Sequence, residues 1–496
     1  MSEDVYDLAI IGAGPGGYHA AIRASQYGAK VALIEKASLG GTCLNWGCIP
    51  TKALYASAAL IQRIRDHSSD FGINCDFSLD FSKAVERKNK VVKELVEGIG
   101  GLQKGWKNDV FNGYGKLIGG NPDDGYEVQI EGKDNTTIKG KRIILATGSS
   151  PALIPAFNID HDRILTSDDI LDPNFKEVPK RLLIIGAGVI GCEFANIFAT
   201  FGSKVNMLEY LPSPIATEEP LVIRELQKKF DELDIKLHVS QNVLSVENTG
   251  NGVKATTVSA DVPRDKVEEA EKNIFEADYC LVSIGRAKES SNLGLEELGI
   301  ETERGSIICD QDTLETAAKG IYAIGDVTGG VMLAHVASYE GDIAVANALE
   351  SIGGFPVEKA KTDYSVIPAT IFTNPNIGSV GMRRKQAMEQ GIDVAMGRFP
   401  FAALGKAKCM GEEEGFIFIL ANKETGEIVG ASCIGAEAPE LISEIALAMH
   451  HDLTVHDIGE VIHSHPTISE MVLEGAEDVY GMAIHKRGRP QFPKKH

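Results

Sequence analysis

Residues 5–35, VYDLAIIGAGPGGYHAAIRASQYGAKVALIE, read as an apolar strand, a glycine turn, an amphipathic helix and a second apolar strand that ends in an acid. Residues 181–209, RLLIIGAGVIGCEFANIFATFGSKVNMLE, repeat that plan, and the spacings Gly12 to Glu35 and Gly186 to Glu209 are both 23 residues. A G-x-G-x-x-G turn bends the backbone sharply, admits a pyrophosphate close to it, and packs the helix on the strand. The helix N-terminus adds partial positive charge. Gly12, Gly14 and Gly17 fit this pattern, as do Gly186, Gly188 and Gly191. Glycine turns of this kind also occur without a ligand, but strand, turn, helix and acid in register twice imply two dinucleotide sites. Glu35 and Glu209 are the expected acceptors for an adenosine ribose. Met207, Leu208 and Tyr210 surround Glu209 with no arginine for a 2′-phosphate, which favours NAD over NADP at the second site.

Working outward, RIILATGSSP (142–151) and IYAIGDVTGG (321–330) are further buried-strand runs broken by glycine. The alternation of strands and helices to residue 350 predicts an α/β fold of two doubly wound, Rossmann-like domains. The first covers 1–152 and is completed by 284–352; the second covers 153–283. From residue 353 the pattern changes: TIFTNPNIGSVG, RFPF and GFIFILANKETGEIVGASCIG suggest antiparallel strands, and PELISEIALAMHHDL has helical periodicity. Residues 353–496 are therefore expected to form a separate α+β domain. The polar stretch Glu247 to Lys272 reads as a surface hairpin insertion without chemistry.

A chain of 496 residues with 43% apolar content is long enough for several ordinary cores. Its net charge of −21 argues against nucleic acid or an anionic membrane as partner. The opening MSEDVYDLAIIGAG is acidic and its apolar run is too short for a signal segment or a membrane span. Eight cysteines in so long a chain are not a secreted disulfide scaffold. The expected compartment is the cytoplasm, and a processed organelle protein would read the same. The basic end, HKRGRPQFPKKH, reads as a solvated terminus.

GGTCLNWGCIPTKAL (40–54) sets Cys43 and Cys48 in a loop leading into a helix. Such a pair can bridge, bind metal or lie inert in a core. No second Cys/His pair at ligand spacing accompanies it, so no metal is expected. Cys48 falls near the helix start, where the dipole lowers a thiol pKa, and Lys52 follows one turn on along the same face.

With these motifs in hand, the sequence resembles the pyridine nucleotide-disulfide oxidoreductases along essentially its whole length. The resemblance implies a redox-active disulfide in which Cys43 exchanges with substrate and Cys48 lies against FAD. It also implies that Lys52 sits by the flavin and pairs with Glu193, and that Asp326 holds the ribityl chain. Met332, Leu333, Ala334 and His335 are then expected near the isoalloxazine, with Gly115, Thr147, Gly148 and Ser149 as further FAD contacts. Val243 and Gly285 are expected at the NAD site. Trp46, inside the cysteine loop, is a bulky residue of unassigned role.

HSHPTISE (463–470) carries His463, His465 and Glu470. A dithiol attacks as its thiolate, so a base is needed near the disulfide, and a carboxylate can fix an imidazole's tautomer. The resemblance assigns His465 as base and Glu470 as its orienting partner, with His463 supporting at most; the other histidines read as structural or surface groups. A metal held by His463 and His465 lacks further ligands. In that family this loop reaches the disulfide of the opposite subunit, implying a C₂ homodimer through the C-terminal domain.

The last cysteine is Cys433, far from the end, which disfavours the branches with a C-terminal cysteine pair or redox centre. The branch that oxidises dihydrolipoamide with NAD⁺ remains. With no lipoyl domain ahead of the first glycine turn, the dihydrolipoyl group is expected on another protein, of a 2-oxoacid dehydrogenase complex or the glycine cleavage system. The rival readings are an NAD(P)H-dependent reductase of another small disulfide such as glutathione, and a non-catalytic flavin-containing assembly subunit. The intact set Cys43, Cys48, His465 and Glu470 disfavours the second rival, since a scaffold has no need of it.

Overall fold

A computed structural model describes residues 5–488. The acidic opening residues 1–4 and the terminal residues 489–496 of the basic end lie outside the described residues. The first strand, β1 (Val5–Ile11), is followed by helix α1 (Pro15–Gln26) and strand β2 (Val31–Glu35). β1 lies between β2 and β5 (Thr136–Leu145), parallel to both, and Ile321–Ala323 adds a parallel strand beyond β5. β1 and β2 are apolar on both faces because both are covered: Leu8, Ile10 and Leu33 pack on α1 and the helix Ala334–Ile352, while Ala9, Ile11, Ala32 and Ile34 pack on Leu117, Tyr126, Val128 and Ile130 of the antiparallel strands. Strands β3 (Asp109–Asn121) and β4 (Gly125–Gly132) form an antiparallel extension with β5. The chain returns to this sheet at residue 321 after building a second domain, so the first nucleotide fold is discontinuous in sequence.

The second sheet is wholly parallel in the order Lys236–His238, Lys204–Leu208, Arg181–Ile185, Tyr279–Val282, Ile164–Leu165. Its helix Val189–Phe201 is buried along most of its length. The third sheet is antiparallel, with Ala369–Ile371, Asn376–Gly381, Ile428–Gly435, Phe416–Asn422 and Val394–Pro400 as neighbours in that order. The helices Ala438–His450 and Glu470–Asp478 pack against it. The architecture is thus two doubly wound α/β units and an α+β unit.

The expected hairpin at 247–272 is present, as Gln241–Asn248 paired antiparallel with Val253–Ser259, and residues 260–272 are exposed or half-buried; it is not an isolated surface insertion, because Asn273–Ala277 completes a three-stranded antiparallel sheet. Val246, Val253, Ala255, Ala277 and Val282 share one buried cluster, which joins this sheet to the second domain. Outward-facing Lys254 and Thr256 alternate with that buried face and make the stretch look polar when read without its period of two.

Candidate active site

Both glycine turns are shaped by backbone that a side chain cannot occupy. At Gly12 (φ +102°) a Cβ would lie 2.3 Å from the Ala146 carbonyl oxygen, and at Gly17 it would lie 1.8 Å from that of Gly12. Glu35 turns back on this loop: its Oε2 accepts from Ala13 N at 2.7 Å and its Oε1 from Ala37 N at 2.8 Å. The second turn repeats the arrangement, with Gly186 at φ +100° and Glu209 accepting from Ala187 N at 2.6 Å and Leu211 N at 2.8 Å. The helices after both turns start without a side-chain cap and without an acid in their first turn, which leaves their N–H groups free for an anion.

A cavity of about 810 Å³ runs from Glu35 and the first turn (Gly12, Gly14) to the cysteines. Its walls include Gly115, Thr147, Gly148, Ser149, Asp326, Met332, Leu333, Ala334 and His335. At Gly115 a Cβ would crowd Ile11 and Ile34 side-chain atoms at 3.1 and 3.2 Å. Thr147 Oγ1 is buried with no hydrogen-bond partner. A long cleft with one uncapped helix end and an unmatched buried hydroxyl is what a dinucleotide needs, and these residues fit FAD. Asp326 accepts a short hydrogen bond from Ser149 Oγ. Arg286, which the sequence did not single out, donates to Ser149 Oγ and to its carbonyl oxygen, both at 2.7 Å, and lies 3.8 Å from Asp326. Beneath the same turn the buried Glu340 accepts from Gly325 N at 2.5 Å and from Tyr364 Oη at 2.7 Å. Burial pushes its carboxyl above the usual range.

Cys43 lies in helix α2 (Gly41–Trp46) and Cys48 opens helix α3 (Cys48–His67); both line the cavity, as does Trp46. Lys52, one turn into α3, donates to both carboxylate oxygens of Glu193, at 2.8 and 2.7 Å. Glu193 is buried in the helix Val189–Phe201 of the second domain and also accepts from Phe372 N of the third sheet's region at 3.0 Å. Lys52 also stands 4.8 Å from the centre of the Phe372 ring. One carboxylate therefore ties three domains together beside the thiols. The two cysteines differ in acidity. The hydrogen bond from Cys43, against the effect of burial and with help from the Lys52 charge, brings the Cys48 thiol down to about 7. The Cys43 thiol is pushed well up by the proton it shares with Cys48 and by burial. Deprotonation thus places the negative charge on Cys48 and leaves Cys43 as the protonated partner.

His465 Nδ1 is 2.8 Å from Glu470 Oε1, and Glu470 Oε2 accepts from Thr467 N at 2.9 Å. Burial works to raise the Glu470 carboxyl, but these two hydrogen bonds outweigh it and hold the group below the usual range. The imidazole side chain is 77% exposed and does not line the cysteine cavity of its own chain. Neighbouring His463 is anchored instead, with Nε2 at 2.9 Å from Glu444 and Nδ1 at 3.0 Å from the Val461 carbonyl oxygen. Just before His463 in the chain, Ile462 is 97% exposed. Among the described residues no cluster of three metal-ligating side chains occurs, and no helix is long and apolar enough to cross a membrane.

Of the expected nucleotide contacts, Gly17, Gly186, Gly188, Gly191, Glu209, Val243 and Gly285 do not line this cavity. Val243 sits half-buried in the three-stranded sheet, and Gly285 (φ +129°) offers its carbonyl to Ala152 N at 3.0 Å with open space at its Cα. Of the second turn's helix, Val189, Ile190, Glu193 and Phe194 do line it.

A family model described as pyridine nucleotide-disulphide oxidoreductase matches residues 6–341, and that family's dimerisation domain matches residues 367–476. The chain belongs to the pyridine nucleotide-disulphide oxidoreductase family. Enzymes of this family use FAD and a pyridine nucleotide, and the chain has a turn for each. A relative named dihydrolipoyl dehydrogenase from Chlamydia muridarum is 43% identical over 476 residues, 95% of this chain and 96% of its own. One of the same name from Bacillus subtilis is 41% identical over 97% of both chains. Among solved structures, LpdA from Mycobacterium tuberculosis superposes with a TM-score of 0.86 at 26% identity, covering 95% of this chain and 98% of that one. The flavoprotein disulfide reductase RclA from Escherichia coli, solved as a Cu(II) complex, gives 0.82 at 28%, covering 96% and 99%.

Proposed function

We propose that the chain is an NAD-linked dihydrolipoyl dehydrogenase, which oxidises protein-bound dihydrolipoamide to lipoamide through a Cys43–Cys48 disulfide. The carrying observation is the pair of thiols of unequal acidity at the meeting point of FAD cleft, second-domain helix and Lys52–Glu193. Relatives bearing that name match over nearly the whole length of both chains, and Glu209, with no arginine beside it, suits NAD.

The mechanism follows from the residues. His465 of the partner subunit takes a proton from one substrate thiol, with Glu470 holding the ring. The substrate thiolate attacks Cys43 Sγ; the S–S bond breaks and its electron pair leaves on Cys48, the thiolate that Lys52 stabilises. The second substrate thiol displaces Cys43 from the mixed disulfide, its proton passing to the departing Cys43 sulfur, so that lipoamide is released and Cys43 is left as a thiol. FAD, which the first glycine turn, Glu35, Ser149 and Asp326 would hold, would supply the two-electron carrier between the reduced Cys43–Cys48 pair and NAD⁺. Glu193 keeps Lys52 in place at the joint of the domains.

The exposed His465 and Ile462 do no work in an isolated chain. We infer a C₂ homodimer in which that loop completes the partner's cysteine site. The partner in the reaction is a lipoyl-bearing protein of a 2-oxoacid dehydrogenase or glycine cleavage complex, in the cytoplasm. The test is Cys48→Ser: dihydrolipoamide-dependent NADH formation is expected to disappear while FAD remains bound. Normal turnover by that variant refutes the assignment.

A further inference from the structure

The segment from Glu209 to Pro220 leads from the second glycine turn into the helix Pro220–Glu232 and is held unusually tightly. Ile215 N donates to the carbonyl oxygen of Ala187, inside the turn, at 2.9 Å, and Glu218 N donates to Ile215 O at 2.8 Å. Ile215 is buried at φ +37°, a conformation that a β-branched residue adopts only where its surroundings over-determine it. Its own hydrogen-bond partners, Ala187 and Glu218, lie in the same domain, and it is Glu218 and Glu219 that another domain holds. Glu218 Oε1 accepts from Ser379 Oγ at 2.9 Å and from Arg383 Nη2 at 2.9 Å, and Arg383 Nη2 also reaches Ser379 Oγ at 2.7 Å. Next in the chain, Glu219 accepts a short hydrogen bond from Arg384 N.

The ion pair is a poor stability device. Its side chains are only 16% and 5% exposed, and Glu218 Oε2 and Arg383 Nε are buried without hydrogen-bond partners. A buried pair with unmatched atoms is often no better for stability than apolar residues of the same size. What it does achieve is placement. Thr217 and Glu218 line the cavity, whereas Arg383 does not.

We propose that Arg383 is a positioning residue for the nicotinamide nucleotide: through Glu218 and Ile215 it latches the 210–219 loop onto the second glycine turn. The C-terminal domain thereby sets the shape of a binding site in the second domain. A bidentate-capable guanidinium suits this better than an ammonium because its planar fork serves Glu218, Ser379 and the Gly381 carbonyl oxygen (3.1 Å) together.

The inference rests on the NAD-linked reading above, and the experiment separates the two. Full-length Arg383→Met is compared with the unsubstituted protein in KM for NAD⁺, in kcat, and in the rate at which dihydrolipoamide reduces the bound flavin without oxygen. The latch predicts a rise in KM for NAD⁺ of about tenfold, with flavin reduction by the dithiol within about twofold, and Arg383→Lys in between. If Arg383→Met does not fold, Ser379→Ala removes one member of the same cluster and is expected to raise KM by about two- to threefold. An unchanged KM in a folded variant overturns the latch, and so does an equal loss in flavin reduction, which marks a general structural role. An unsubstituted protein that reduces no NAD⁺ defeats the functional reading instead.

Discussion

The two glycine turns share one backbone design but are roofed differently. In the first, Gly16 lies under the helix Ala334–Ile352, where an added Cβ would be 2.9 Å from the Ala337 carbonyl oxygen and 3.0 Å from Ile324 Cδ1. In the second, the corresponding residue is Ile190, whose side chain lines the shared cavity, and a Cβ at Gly188 would meet nothing within 4 Å. The first turn is thus roofed by a helix at Gly16, whereas the second has open space beside Gly188. On the proposed function, the roofed turn suits a cofactor that stays bound and the unroofed one a nucleotide that must enter and leave.

Breaking that contrast most severely is Gly16→Ile, which copies the second turn's residue into the first. The clash with helix backbone is expected to yield protein without bound FAD, measured by the flavin absorbance of the purified chain. Retention of a full complement of FAD would show that the roof is not what encloses the site.

A smaller effect separates the acids. Glu209→Ala is expected to raise KM for NAD⁺ about tenfold while FAD stays bound, and Glu35→Ala to weaken FAD retention with little change in KM for NAD⁺. Exchange of the two outcomes would reverse the assignment of the turns.

The smallest effect concerns the joint between them. Cys48 is a thiolate above about pH 7, so in the reduced protein the long-wavelength absorbance that its thiolate gives beside flavin fades as pH falls through that value. Lys52 lowers this thiol's pKa and Glu193 raises it. Lys52→Met should therefore move the fading to higher pH and Glu193→Gln to lower pH, read in a spectrophotometric pH titration. A common direction for both variants contradicts the electrostatic account.

Much of this was legible because it is local in sequence. The glycine turns, the strand-helix-strand repeats and the Cys43–Cys48 motif each lie within about one supersecondary unit, where period and spacing carry the signal. The antiparallel strands from Asn376 to Gly435 were legible for the same reason. What escaped was assembled across long separations. Arg286 reaches Ser149 only because the strand Arg286–Lys288 pairs with Ser149–Pro151, 137 positions earlier. Glu340 has no motif around its partners Gly325 and Tyr364, and Arg383 finds Glu218 only once two domains are docked. The Lys52–Glu193 pair also spans domains, and it was reached by family resemblance, with no local pattern to show it.

The central claim is that electrons run from a dithiol through the cysteine pair and FAD to NAD⁺. Anaerobic titration of the purified flavoprotein with dihydrolipoamide, followed by addition of NAD⁺, tests it most directly. The account predicts a long-wavelength band as the dithiol is consumed, then its loss as NADH forms. A flavin that ignores dihydrolipoamide and gives the band only with NADPH would contradict it.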